Sequence, residues 1–147
     1  MPEVTTNDLI KLFEEAAKTD RRLPPAIKKQ KTTASWLATK QEKMYSHSWN
    51  KVEFVIRPTS KDISRWWIAS ILLREVVEEI DLKRIIWLKA KRFPWTHIAR
   101  FVGVDRRKVK RMWEEEIMYI RLWLQLNQNN KKINDIIDKI VINKKYN

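Results

Sequence analysis

Apolar residues recur at intervals of three and four over most of the chain, the spacing that lays one face of a helix against a core. Residues 7–18 place Leu9, Leu12, Phe13 and Ala16 on one such face, with Thr6 or Asn7 available as N-cap. Arg21-Arg22-Leu23-Pro24-Pro25 ends that helix, because proline cannot donate into a helical ladder. Residues 26–58 carry the weakest pattern: a short helix over residues 36–43, then Val52, Phe54 and Ile56 alternating just before Pro58. One short alternating run without a partner strand predicts an extended arm and no sheet.

From Thr59 onward the pattern sharpens. Thr59 and Asp62 form the spacing of a capping box, opening a helix over 60–79 expected to bury Ile63, Trp66, Trp67, Ser70, Ile71, Leu73 and Val77. Asp81 is the expected cap of a helix over 82–92 with Ile85, Ile86, Trp87 and Leu88 apolar. Phe93-Pro94 breaks it, and Pro94 suits the first turn of a short helix over 94–102. A longer helix opens at Asp105 and keeps an apolar face through Trp113, Ile117, Ile120 and Leu124. Residues 125–132 read as a turn. Residues 133–142 read as a last amphipathic helix with Ile133, Ile136, Ile137, Ile140 and Val141, and residues 143–147 as a fraying end. The expected fold is all-α: a multi-helical domain with a helix-turn-helix and a long C-terminal helical extension. The expected divisions are residues 1–58 (helix and arm), 59–126 (helix-turn-helix domain) and 127–147 (a helix for oligomerisation).

The helix-turn-helix expectation comes from the chain's single glycine, Gly103. Glycine enters the left-handed region cheaply, so it can stop one helix and reverse the chain into the next. Ile98, Ala99, Val102 and Val104 lie around it, with Val109 and Met112 farther on. That spacing lets two short helices bury one shared wedge, and Asp105 can cap the second of them.

Charge gives this motif a candidate chemistry. The formal net charge is +13, and residues 83–111 hold eleven Lys or Arg against one acid, Asp105. An AT-rich codon bias would spread lysine evenly; this charge gathers on the motif, as on a phosphate-binding surface. Composition excludes several alternatives. Cysteine is absent and only His47 and His97 are available, which argues against disulfides and a zinc site. One glycine cannot build a phosphate-cradling loop or a dinucleotide fold. No serine, histidine and acid are spaced as a triad, and the runs Glu78-Glu79 and Glu114-Glu115-Glu116 read as solvated helix faces. No enzyme activity, cofactor or metal is expected. The lack of a long apolar run or leader makes a cytoplasmic protein with no membrane partner the expectation.

The segment over residues 80–117, IDLKRIIWLKAKRFPWTHIARFVGVDRRKVKRMWEEEI, resembles the fourth region of bacterial sigma factors, where an apolar helix also leads into a helix-turn-helix. The chain departs from those proteins in having no recognisable polymerase-binding region upstream. A wider resemblance, at RRLPP and at KRIIWLKAKRFPWTHIARFVGVDRRKVKRMW and running through most of residues 7–125, is to a helix-turn-helix family of alphaproteobacterial and prophage genomes. It implies a phage-linked DNA-binding protein, with small terminase subunits, which recognise phage DNA for packaging, as a possible relative.

In such proteins the second helix, here about residues 105–120, enters the major groove with its N-terminal side chains on base edges. Arg106, Arg107, Lys110 and Arg111 are the expected base readers, projecting away from Val109 and Met112. Lys89, Lys91, Arg92, Thr96, His97 and Lys108 are the expected phosphate contacts, with the start of the preceding helix contributing amides and dipole. Trp95 is expected at the core edge and Trp113 against the helix over 60–79. Glu114 is expected to pair with Lys110 or Arg111. Double-stranded DNA and a second copy of the chain are the expected partners. The alternatives are a small-terminase-like packaging subunit and a protein-interaction module built on a repurposed helix-turn-helix.

Overall fold

The computed structural model describes residues 3–23 and 57–142. Among these the protein is all-helical, with α1 Thr6–Arg22, α2 Ser60–Glu75, α3 Ile80–Ala90, α4 Trp95–Val102, α5 Arg106–Leu126 and α6 Lys131–Ile142. The expected short helix over 36–43, the alternating stretch over 52–56 and the end over 143–147 lie outside the described residues. Contacts divide the chain into one unit of residues 1–21 and 58–147 and a second of residues 22–57. The six helices belong to the first unit, apart from Arg22 at the end of α1.

Local sequence sets the helix starts. Thr5, one residue earlier than expected, caps α1: its amide donates to Asp8 Oδ2 (3.0 Å) and the Asp8 amide to Thr5 Oγ1 (3.3 Å). Thr59 and Asp62 make the same reciprocal pair at α2, at 3.1 and 3.3 Å. The aspartates of α3 and α5 do not cap as expected. Glu79, not Asp81, is the N-cap of α3 and makes no side-chain bond; Asp81 instead lies 3.8 Å from Arg84. Asp105 does occupy the N-cap of α5, but only its backbone carbonyl is engaged, by the Val109 amide at 2.9 Å.

Two left-handed residues bracket α4. Gly103 has φ 78° and ends the helix, with its amide and that of Val104 donating to the Ala99 carbonyl at 2.8 and 3.2 Å. At the end of α3, Arg92 has φ 66°. Its amide donates to the Lys89 carbonyl (2.9 Å) and that of Phe93 to the Leu88 carbonyl (3.2 Å), a complete Schellman closure built on a residue with a Cβ. A side chain in this region costs about 1–2 kcal/mol, offset in part by the unfolded-state freedom that glycine adds. Arg92→Gly is therefore expected to stabilise the protein by roughly 0.5–1 kcal/mol in urea denaturation. A loss of stability would mean that the ion pair of Arg92 with Glu14, at 3.6 Å, outweighs the backbone strain.

Buried side chains form two clusters. The larger takes Leu9, Leu12, Phe13, Ala16 and Ala17 from α1, Ile68, Ala69 and Leu72 from α2, Ile86 and Ala90 from α3, Ile117, Ile120 and Leu124 from α5, and Ile133, Ile137 and Ile140 from α6. The N- and C-terminal helices thus share a core with the middle of the chain, across the division expected near residue 126. The apolar stripe of α6, expected to hold copies of the chain together, is turned inward here, as is that of α5. The smaller cluster is Ile85, Ile98 and Val109, one residue each from α3, α4 and α5. Ile85 and its neighbour Ile86 thus enter different clusters, which makes α3 the wall between them.

The face of α2 matches expectation only in part: the helix ends at Glu75 and not at residue 79, Trp66 and Leu73 pack against the larger cluster, and Val77 is buried beyond the helix end. Arg65, Ile68, Ala69 and Leu72 are buried, while Ile63 and Trp67 are 42 and 54 % exposed. Arg65, 7 % exposed at its side chain, pairs through Nε with Glu15 of α1 and donates through Nη1 to the Lys139 carbonyl of α6 at 3.3 Å. No helix among the described residues is long and apolar enough to cross a membrane.

Candidate nucleic-acid interface

The side chains expected to read bases sit on the N-terminal turns of α5. Only Val109 there is fully buried; Met112 and Trp113, a turn later, are half-buried against the smaller cluster. Every other position from 106 to 111 is exposed: Arg106, Arg107, Lys108, Lys110 and Arg111. None of the five has an ion-pair or hydrogen-bond partner among the described residues, and neither does Glu114, which pairs with neither Lys110 nor Arg111. Repeats of three and four put Arg106, Arg107, Lys110 and Arg111 on one side of the rod. The rod is held from below by the Val109 contact and farther on by the main core, so its first two turns stand out with their cations in water.

The expected phosphate contacts divide into two groups. Thr96, His97 and Lys108 are exposed. The ring of His97 stacks on Phe93, centroids 4.8 Å apart. Pro94 is the N-cap of α4, and its carbonyl accepts from the His97 amide at 3.1 Å. The first-turn amides of Trp95 and Thr96, without intrahelical acceptors, are therefore the donors α4 offers an anion; the His97 amide is not. Lys91, half-buried, borders this end of α4 from the C-cap of α3.

Lys89 and Arg92 are already engaged. The Lys89 ammonium lies 4.5 Å from the centroid of the Trp95 ring, a cation–π contact. Trp95 in turn meets Trp113 edge to face at 5.5 Å. Trp113 therefore joins α4 to α5 at the seam of the two clusters, with residues of α1 and α3 beside it, where the sequence reading expects the helix over 60–79. This Lys89–Trp95–Trp113 stack ties α3, α4 and α5 together beside the smaller cluster. Arg92 reaches Glu14 of α1.

Several participants carry no signal in the sequence. Arg21, at the end of α1, donates to the Lys91 carbonyl at 3.2 Å and so caps α3 from seventy positions away. Arg100 is exposed on α4 without an ion-pair partner among the described residues. Phe101 is 60 % exposed, with the Arg84 guanidinium 5.9 Å from its ring centroid. Acids border the cationic zone. Glu114 and Glu115 follow Arg111 on the outside of α5, and Glu116 is half-buried, its carboxyl pushed above the usual carboxylate range by burial and by the nearby Glu79 and Glu78. The charge of the side chains along α5 therefore changes sign within one turn, which favours a polyanion at its N-terminal end over the stretch beyond.

The family described as Domain of unknown function (DUF6362) matches residues 21–120, more than half of the chain, and the protein belongs to it. No curated protein and no solved structure matches the chain.

Proposed function

We propose that this member of the family binds duplex DNA as a helix-turn-helix protein, with α4 and α5 as its two helices and α3 as the helix that packs beneath them. The observation that carries this reading is the row of exposed, unpaired cations on a helix whose only fully buried residue in that stretch is Val109. Such a helix offers arginine forks to the major groove, where guanine presents O6 and N7 to a bidentate donor. Arg106, Arg107, Lys110 and Arg111 are assigned to base edges. Lys91, Thr96, His97, Lys108 and Arg100 are assigned to phosphates, where they fix register and carry no sequence information. The acids at 114–116 mark where the groove contact ends. The resemblance to phage-linked helix-turn-helix proteins favours a regulator, with DNA packaging as the other use of the same contact.

The test is a selection from a random duplex library followed by salt titration. Log affinity is expected to fall with log salt by about 0.9 for each phosphate neutralised. Arg107→Ala is expected to weaken the selected site by roughly 1–3 kcal/mol and random duplex much less, while Lys91→Ala weakens both alike and lowers the salt slope by about one. A flat salt response would remove DNA from the account and leave α5 as a protein-docking helix.

A further inference from the structure

The outward side of α5 changes character along its length. Past the acids, Met118, Tyr119, Leu122 and Leu126 are 44, 49, 48 and 80 % exposed. At about 100° per residue these four fall on one stripe. It lies opposite Ile117, Ile120 and Leu124, which are buried in the main core. Isolated exposed apolar residues are ordinary; four in one stripe on one rod make a contact face.

We infer that a second copy of this chain packs on that stripe, antiparallel, about a two-fold axis passing near Leu122, and that the pair thereby presents two arginine faces to two half-sites. The second part rests on the DNA-binding reading above; the first does not.

Charge selects the direction. In a parallel pairing Glu115 would meet Glu115. In an antiparallel one, Glu114 and Glu115 of each copy approach the end where the other copy turns into α6, which bears exposed Lys131 and Lys132. Geometry connects the seam to the reading face. The mean direction of Arg106, Arg107, Lys110 and Arg111 lies roughly a quarter turn around α5 from that of the stripe, at 3.6 residues per turn. A two-fold axis perpendicular to the rods therefore leaves both arginine faces pointing the same way, toward one duplex. Along the rod, at 1.5 Å per residue, the centre of the arginine face is about 19 Å from that of the stripe. Two such rods lying side by side and aligned then hold their arginine faces about 38 Å apart along the rod direction, and crossing shortens this toward the 34–36 Å of one helical turn between half-sites. Two copies of the stripe bury on the order of 1,000 Å², below the roughly 1,600 Å² of a standard interface. The free chain thus associates weakly, and a duplex holding both copies raises their effective concentration.

The chain has no cysteine, so Leu122→Cys in the full chain gives a clean probe. A residue beside its own copy at a two-fold axis meets disulfide geometry. Under mild oxidation Leu122→Cys is expected to form a covalent dimer roughly tenfold or more faster than Ser64→Cys, an exposed position on α2. Adding Leu126→Glu, at a position already exposed, should return the rate to that of Ser64→Cys with the helical circular dichroism unchanged. Equal rates for the two single cysteines would overturn the seam, whether or not duplex is bound. The covalent dimer is then offered duplexes with two selected half-sites one turn or one and a half turns apart, and preference for the first is expected. Binding without preference would overturn the two-site arrangement. A fast cross-link with no duplex binding would sustain the seam and refute the DNA reading.

Discussion

Ile98→Ala is expected to destabilise the protein by about 2–5 kcal/mol, the range for truncating a fully buried aliphatic side chain in a core that relaxes only partly. Ile98 is 0 % exposed and shares its cluster with only two other buried residues, Ile85 and Val109. Around them only partly buried side chains, among them Leu88, Phe93, Val102 and Met112, are at hand to refill the space. The loss should concentrate where those three meet. Amide exchange in α4 and the first turns of α5 is expected to accelerate well beyond that of α1, which is held by the larger core. On the proposed DNA-binding reading duplex affinity should fall too, because Val109 loses one of the two buried partners that seat the arginine-bearing turns. A uniform rise in exchange across all helices would mean that the two clusters melt as one, and that α4 is not separately presented.

Glu15→Ala is expected to cost about 2–3 kcal/mol, reduced from the 3–5 kcal/mol of a fully buried broken pair because Glu15 keeps contact with water. Its side chain is 44 % exposed and that of Arg65 only 7 %. The asymmetry gives the sign. Removing Glu15 strands a guanidinium between α1, α2 and α6 with the Lys139 carbonyl as its remaining acceptor. Arg65→Met leaves a carboxylate that water can solvate and fills the space with an apolar chain of similar length. The double variant should therefore be more stable than Glu15→Ala alone, a non-additivity read from urea denaturation of the four-member cycle. Additive losses would show that the pair is already solvated and that Arg65 acts only through its stem.

The first variant touches a place where local pattern and tertiary packing agree, the second a place where they give different answers. The ends and spacing of α4 and α5 are legible in the sequence, because Gly103, Pro94 and the wedge from Ile98 to Met112 act over a few residues. The capping box of Thr59 and Asp62 is legible for the same reason. The buried face of α2 is not. Ile63, Trp66, Trp67, Ile68, Ile71 and Leu72 ring the helix with apolar side chains, so periodicity selects no face. The choice is made by Glu15 and by α6, both distant in sequence. The stripe through Trp113, Ile117, Ile120 and Leu124 can be read from its spacing, but its partner cannot: α1 and α6 cover it from within the chain, leaving the stripe around Leu122 outside.

The candidate interface divides in the same way. Exposure of Arg106, Arg107, Lys110 and Arg111 follows from helical phase once Val109 points inward, and one sequence suffices for that. The engagement of Lys89 by Trp95 and of Arg92 by Glu14 depends on how three helices meet. Nor does any residue type announce that Arg92 is left-handed; the proline two positions later says only that α3 has ended.

The bend at Gly103 has a corollary for what variation this protein tolerates. A Cβ built there meets nothing within 4 Å, so the site has ample room and is guarded by backbone handedness alone. Asparagine, which visits that conformation readily, is an admissible occupant, whereas valine, smaller than many side chains that would fit the open volume, is barred by its branched Cβ. Mutational drift at this position is filtered by chirality and not by size.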